Sequence, residues 1–170
     1  MLEKEWFAPT LSLVFLIFSA FFSSSESAFL SIQKTRLTHL VSTGVPGADR
    51  VARMIGQPER FLSTILLGNN LVNVAFAALV TVIIVSRLGE GHGALGVIIA
   101  TGVGTTVLLI VGEIIPKSIA VRHAERVALL YAGPLKWVET LLFPLVLILQ
   151  WTSHQASSLF GGATPSRGSI

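Results

Sequence analysis

Apolar residues in this chain are gathered into long runs instead of recurring on one face of a helix or strand. The first run extends from about Phe7 to Leu30, the second from about Phe61 to Val85, and the third from about Ala94 to Ile115. Each approaches the roughly 20 residues a helix needs to cross a hydrocarbon core of about 30 Å. A soluble helix of that length carries a polar face, and these mostly do not. The pattern predicts three membrane-spanning helices. A fourth apolar region, Val127 to Trp151, is interrupted by Gly133, Pro134, Lys136, Glu139 and Pro144. Proline inside a helix removes a donor and crowds the preceding turn, and charges at mid-bilayer are costly. This region reads as two shorter juxtamembrane helices on the cytoplasmic side, within about residues 118–151, with Trp137 and Trp151 as interfacial anchors. A fourth full span, carrying the C-terminus outside, is the rival reading. The chain therefore divides into a transmembrane domain, residues 1–151, and a linker-like tail, residues 152–170, rich in Gly, Ser and Pro from Gly161 onward.

Composition agrees with an all-α integral membrane protein. Hydrophobic residues make up 52% and charged residues 12% of the chain, against about 25% charged in soluble domains. The leader Glu3-Lys4-Glu5 is net acidic, whereas a secretory signal begins with basic residues, so the first run is expected to be a mature helix. The net charge of +3 matters less than its placement. Lys34, Arg36, Arg50, Arg53 and Arg60 lie between the first two runs, and Lys117, Arg122, Arg126 and Lys136 follow the third. Only Arg87, beside Glu90, lies between the second and third runs. Basic loops stay cytoplasmic, which places the N-terminus outside and the C-terminus inside. No basic run is interleaved with aromatics, so no nucleic-acid partner is expected. The chain has no cysteine, which excludes disulfides and thiolate metal sites.

The chemistry lies in polar residues placed where lipid disfavours them. The first run ends in Ser23-Ser24-Ser25-Glu26-Ser27. Ser19, Ser23 and Ser27 are spaced four apart and share a helix face, with Glu26 close to it. The plainer reading is close packing, with hydroxyls bonded back to carbonyls one turn earlier. On that reading Glu26 reaches water at the cytoplasmic end. The second run holds Gly68-Asn69-Asn70-Leu71-Val72-Asn73. Asn69 and Asn73 face one way, and Asn70 lies about 100° around the axis. One asparagine would fit an interhelical hydrogen bond worth about 0.6 kcal/mol. Three beside a glycine suggest a polar cavity. The third run closes with Gly112-Glu113-Ile114-Ile115-Pro116-Lys117. Pro116 lacks the N–H that would bond the Gly112 carbonyl, which predicts a helix break that frees a carbonyl beside the Glu113 carboxylate. Broken membrane helices hold ions in this way. A Glu113–Lys117 salt bridge is the competing account, but it leaves the break unexplained.

The three clusters offer hydroxyl, amide, carbonyl and carboxylate oxygens. His39, His92, His123 and His154 all fall in loops or near interfaces. Oxygen-only ligation favours magnesium, calcium, manganese or sodium over zinc or copper. One dominant carboxylate suits magnesium better than a calcium cage and leaves sodium open. The spans hold neither an HExxH motif nor paired aspartates, and no histidine is placed to activate a serine, so an enzyme is not expected.

At these residues the chain resembles the CorC/CNNM (cyclin M) family of magnesium transporters, in their DUF21-type transmembrane domain. Phe22-Ser23, Gly68-Asn69 with Leu71-Val72-Asn73, and Gly112-Glu113-Ile114 with Pro116 carry the resemblance, and the stretch from Lys117 to about Leu149 is of the matching type. The resemblance covers nearly the whole chain. It implies a homodimer in the cell (inner) membrane, with three spans per protomer and a helical belt on the cytoplasmic side. It implies a dehydrated Mg2+ held among the three helices and exported, with Na+ entry as the coupled flux. Carried over residue by residue, the ligands would be Ser23, Asn69 or Asn73, the Gly112 carbonyl and Glu113, with Ser24, Ser25, Ser27, Glu26 and Asn70 less firmly fixed by the motif. Family members usually continue into paired cytosolic CBS modules that bind nucleotide, which residues 1–170 do not include. Such modules require the C-terminus inside, so Val127 to Trp151 is expected not to span. A membrane protein that senses Mg2+ without transporting it is the alternative function.

Overall fold

The computed structural model describes residues 2–88 and 93–159, in which the apolar runs form long helices. In chain order these are α1 (Leu2–Ser31), α2 (Lys34–Ser42), α3 (Ala48–Ile55), α4 (Pro58–Leu88), α5 (Gly93–Val107), a π-helical segment (Leu108–Ile114), α6 (Ile115–Arg122) and α7 (Ala124–Leu159). No strand occurs among the described residues. From α5 through the π segment to α6 the chain runs on as a single helix, Gly93–Arg122.

Helices α1 and α4 form an antiparallel pair with a clear register. Ser19 meets Asn73, the Phe22 ring covers Gly68, and Phe29 stacks on Phe61 with ring centroids 4.8 Å apart. A β-carbon at Gly68 would overlap the Phe22 ring, so the absence of a side chain there sets how closely the two helices approach. The same logic brings α1, α6 and α7 together, because Ala28, Ala120, Ala128 and Ala132 are all fully buried. Without a hydrophobic drive between helices in lipid, close packing of small residues is the main cohesive term.

The short helices α2 and α3 cap one end of the bundle. They bury Leu37, Leu40, Val51 and Met54 and leave Lys34, Arg36, Arg50 and Arg53 exposed. The turn between them needs two left-handed residues, and Gly44 (φ 70°) and Gly47 (φ 90°) supply them. Arg36 pairs with Glu125 at 2.8 Å, Lys117 with Glu26 at 3.2 Å, and Arg60 with Glu139. These pairs place the basic segments at one common end.

Four helices are long and apolar enough to cross a membrane: Trp6–Ser31, Pro58–Leu88, Gly93–Arg122 and Ala124–Ile148. The region expected to form two shorter helices is instead one helix, α7, running through Pro134 and Pro144. Each proline deletes only one intrahelical bond, and the turns on either side continue. Length and composition thus admit four spans where the sequence pattern predicts three. The outward faces are apolar, with Leu66, Val74, Val82, Ile98 and Ile110 exposed. A soluble monomer rarely shows so much exposed hydrocarbon, and a bilayer would cover it.

Candidate functional site

The α1/α4 register brings two of the polar clusters face to face. Ser19, fully buried on α1, donates its hydroxyl to Asn73 Oδ1 on α4 at 2.7 Å. Asn73 Nδ2 then donates to Glu113 Oε1 at 3.1 Å, tying in the third cluster. A β-carbon at Gly112 would stand 2.9 Å from Ser19 Oγ, so the backbone of Gly112 lies directly against α1. Ser19, Asn73, Gly112 and Glu113 therefore meet at one point between three helices.

One turn nearer the basic end, the same antiparallel register sets Ser23 level with Asn69. Ser23 Oγ and Asn69 Oδ1 are both buried without a hydrogen-bond partner. Leaving such atoms unpaired costs about 1–3 kcal/mol each. Two orphaned oxygens one helical turn from the Asn73–Glu113 contact therefore mark a place that suits a ligand rich in positive charge. On the side away from the basic end lies a crevice of about 300 Å³ walled mainly by hydrocarbon, including Leu16, Phe76, Val80 and Val107. Few groups there could solvate an ion.

The backbone that presents Glu113 differs from the expected break. The chain is π-helical from Leu108 to Ile114, and Ile115 N–H bonds back to the Ile110 carbonyl. Pro116 follows in the first turn of α6, and the helix continues through it. The wider turn accommodates the missing donor without ending the helix, because bonding has already shifted to the fifth residue back. π-helical turns of this kind are rare and recur at functional sites.

The remaining candidates separate. Ser24 donates to the Ala20 and Phe21 carbonyls at 2.6 and 3.1 Å, and Ser25 to the Phe21 carbonyl at 2.7 Å. Their hydroxyls close on their own helix. Glu26 pairs with Lys117, so Lys117 does not neutralise Glu113. Ser27 is half-buried and Asn70 exposed. Ser19 is the residue that sequence reasoning noted by its spacing but did not place among the ligands. Its spacing of four from Ser23 was the available signal. Among the described residues no three His, Cys, Asp or Glu side chains cluster, and no Lys, Arg or His pairs with Glu113. A cation here would be held by one carboxylate and neutral oxygens.

Comparison with known proteins gives the following matches. The family model for the cyclin M transmembrane N-terminal domain matches residues 10–170. The UPF0053 inner membrane protein YfjD of Escherichia coli (strain K12) is 36% identical over 143 residues, which cover 84% of this chain and 32% of that protein. A UPF0053 protein of Haemophilus influenzae is 39% identical over 149 residues, 88% of this chain and 34% of its own. A chloroplastic DUF21 domain-containing protein of Arabidopsis thaliana is 35% identical over 149 residues, 87% of this chain and 22% of its own. The chain thus spans about a third or less of these relatives' length.

Proposed function

The chain belongs to the cyclin M transmembrane-domain family, and on that premise we propose that this multi-pass membrane domain carries Mg2+ through a dehydrated site between α1, α4 and the π-helical segment. The observation that supports this most is the Glu113 carboxylate, which has no cationic partner among the described residues and is held by Asn73, one helical turn along α4 from Asn69, whose buried oxygen, like that of Ser23, has no hydrogen-bond partner.

Each residue has a distinct task in this reading. Glu113 supplies the charge that offsets dehydration of the ion. Asn69 and Ser23 supply neutral oxygens. Asn73 orients Glu113 through its amide N–H, and Ser19 in turn fixes the Asn73 amide. The Gly112 carbonyl is a further candidate oxygen, because the backbone of Gly112 lies directly against Ser19. Mg2+ needs near-octahedral oxygens at about 2.0–2.1 Å, so the groups must draw inward on binding. Release to the other side requires rearrangement of the π-helical segment, much as discontinuous helices do in other carriers. The chain acts as a carrier and not as an enzyme. Export coupled to Na+ entry, a homodimer, the N-terminus outside and regulation by cytosolic CBS modules in a longer chain are parts of the same proposal. They rest on family membership and on the basic segments gathered at one end.

Titration calorimetry with Mg2+ on wild type and Glu113→Gln tests the site. Wild type is expected to bind and the variant to lose binding. Equal binding by both would overturn the role of Glu113. Flux in reconstituted vesicles, with Na+ varied, then separates carrier from sensor, because binding without flux is the outcome the sensor reading requires.

A further inference from the structure

Apart from the ion site, the basic end of the bundle contains a cavity of about 190 Å³ between α3, α4 and α7. Its wall includes Arg50, Arg53, Arg60, Lys136 and Glu139, with Phe61 on its apolar side. That volume corresponds to roughly six waters at about 30 Å³ each. Four cations and one carboxylate line it, so three positive charges have no counter-charge in the wall.

The single carboxylate is already committed. Glu139, only 5% exposed, pairs with Arg60 and with Lys136 Nζ, the latter at 3.1 Å. The Arg60 guanidinium also rests over the Phe143 ring, 4.7 Å from its centroid. Its buried Nε has no aligned hydrogen bond, so its contact with Glu139 is that of an ion pair alone. Arg50 and Arg53 make no ion pair among the described residues. Arg50 reaches across to α7, where a β-carbon on Gly133 would stand 3.2 Å from its Nη1. Glycine at 133 leaves space for that guanidinium at the cavity wall. Trp137, next to Lys136, is 83% exposed, which is how a side chain at a membrane–water boundary is presented.

We infer that this cavity binds a phosphate group, held by the Arg50 and Arg53 guanidinium forks with Arg60 and Lys136 behind them. Planar forks match phosphate oxygens two at a time. Basic pockets between helices at this depth are suited to anionic lipid headgroups, and a soluble phosphate would offer the same chemistry. The inference does not depend on the ion site, which lies elsewhere on α1, α4 and the π segment.

The test uses the full chain in neutral detergent, offered phosphatidylglycerol, phosphatidylcholine or inorganic phosphate, with bound species counted by native mass spectrometry. Wild type is expected to retain phosphatidylglycerol over phosphatidylcholine. Arg50→Gln/Arg53→Gln is expected to weaken that retention roughly twenty-five-fold, about fivefold per basic residue. Inorganic phosphate that binds alone, and is lost in the double variant, supports the site with a soluble phosphate as its ligand. Equal retention of phosphatidylglycerol by wild type and variant overturns the inference. So does failure to distinguish the two lipids together with no phosphate binding. Should the double variant not fold, Arg53→Gln alone, at an exposed position, is expected to weaken retention about fivefold, and no change there overturns it equally.

Discussion

Gly68 shows how one absent side chain organises the site. The Phe22 ring occupies the space a β-carbon would take, and this contact keys α1 to α4 in the register that sets Ser23 level with Asn69. Gly68→Ala should therefore destabilise the fold by about 1–3 kcal/mol, as overpacking does, with a lower thermal midpoint in detergent. Phe22→Leu in the same chain should recover part of the loss, and strictly additive effects would show that the two residues do not share this contact. The polar clusters themselves could be read from sequence, because lipid penalises every unpaired polar group and few reasons exist to keep one. Their partners could not. Whether Lys117 answers Glu113 or Glu26 depends on how α1 and α6 sit side by side, which spacing along one helix does not reveal. For the same reason the role of Ser19 emerged only once Asn73 was seen opposite it.

The instructive element is the helix from Gly93 to Arg122. Pro116 correctly signalled irregularity in the sequence, but a proline specifies only the missing donor and not how the chain adjusts to it. Here the adjustment is π-helical bonding over Leu108–Ile114, not a break. This has a consequence for Glu113. Restoring the donor with Pro116→Ala lets the π bonding relax toward α, which rotates Glu113 by up to about 100°, one residue's worth of turn. Loss of Mg2+ binding by calorimetry with unchanged helical content by circular dichroism is the expected pair of results. Unchanged binding would show that the π-helical segment does not set the Glu113 position. In α7 the same caution applies in reverse, since Pro134 and Pro144 suggested an interruption that the helix does not make. Breakers are reliable at the level of single bonds, and less so at the level of whole elements once neighbouring helices and lipid stabilise the turns on either side.

For the molecule as a whole, the arrangement of charge follows from the ion pairs. Glu26, Glu125 and Glu139 each have a basic partner, whereas Glu113 has none among the described residues. On the proposed Mg2+ reading, a site with one carboxylate charge would carry one negative charge when empty and one positive charge when holding the ion. Both forms then feel the electrical potential across the membrane, with opposite sign. Moving one such charge across the full thickness is worth about 2.3 kcal/mol per 100 mV. An inside-negative potential would favour the loaded site facing inward and the empty site facing outward, and so would oppose the proposed export in both halves of its cycle. Mg2+ flux from vesicles clamped at different potentials should accordingly slow as the interior is made more negative, and a voltage-independent flux would mean that another charge travels with the ion. If the site carries Mg2+ as proposed, the lone carboxylate would divide the ion's two charges between the loaded and the empty step, and outward transport against an inside-negative potential would draw on a second gradient.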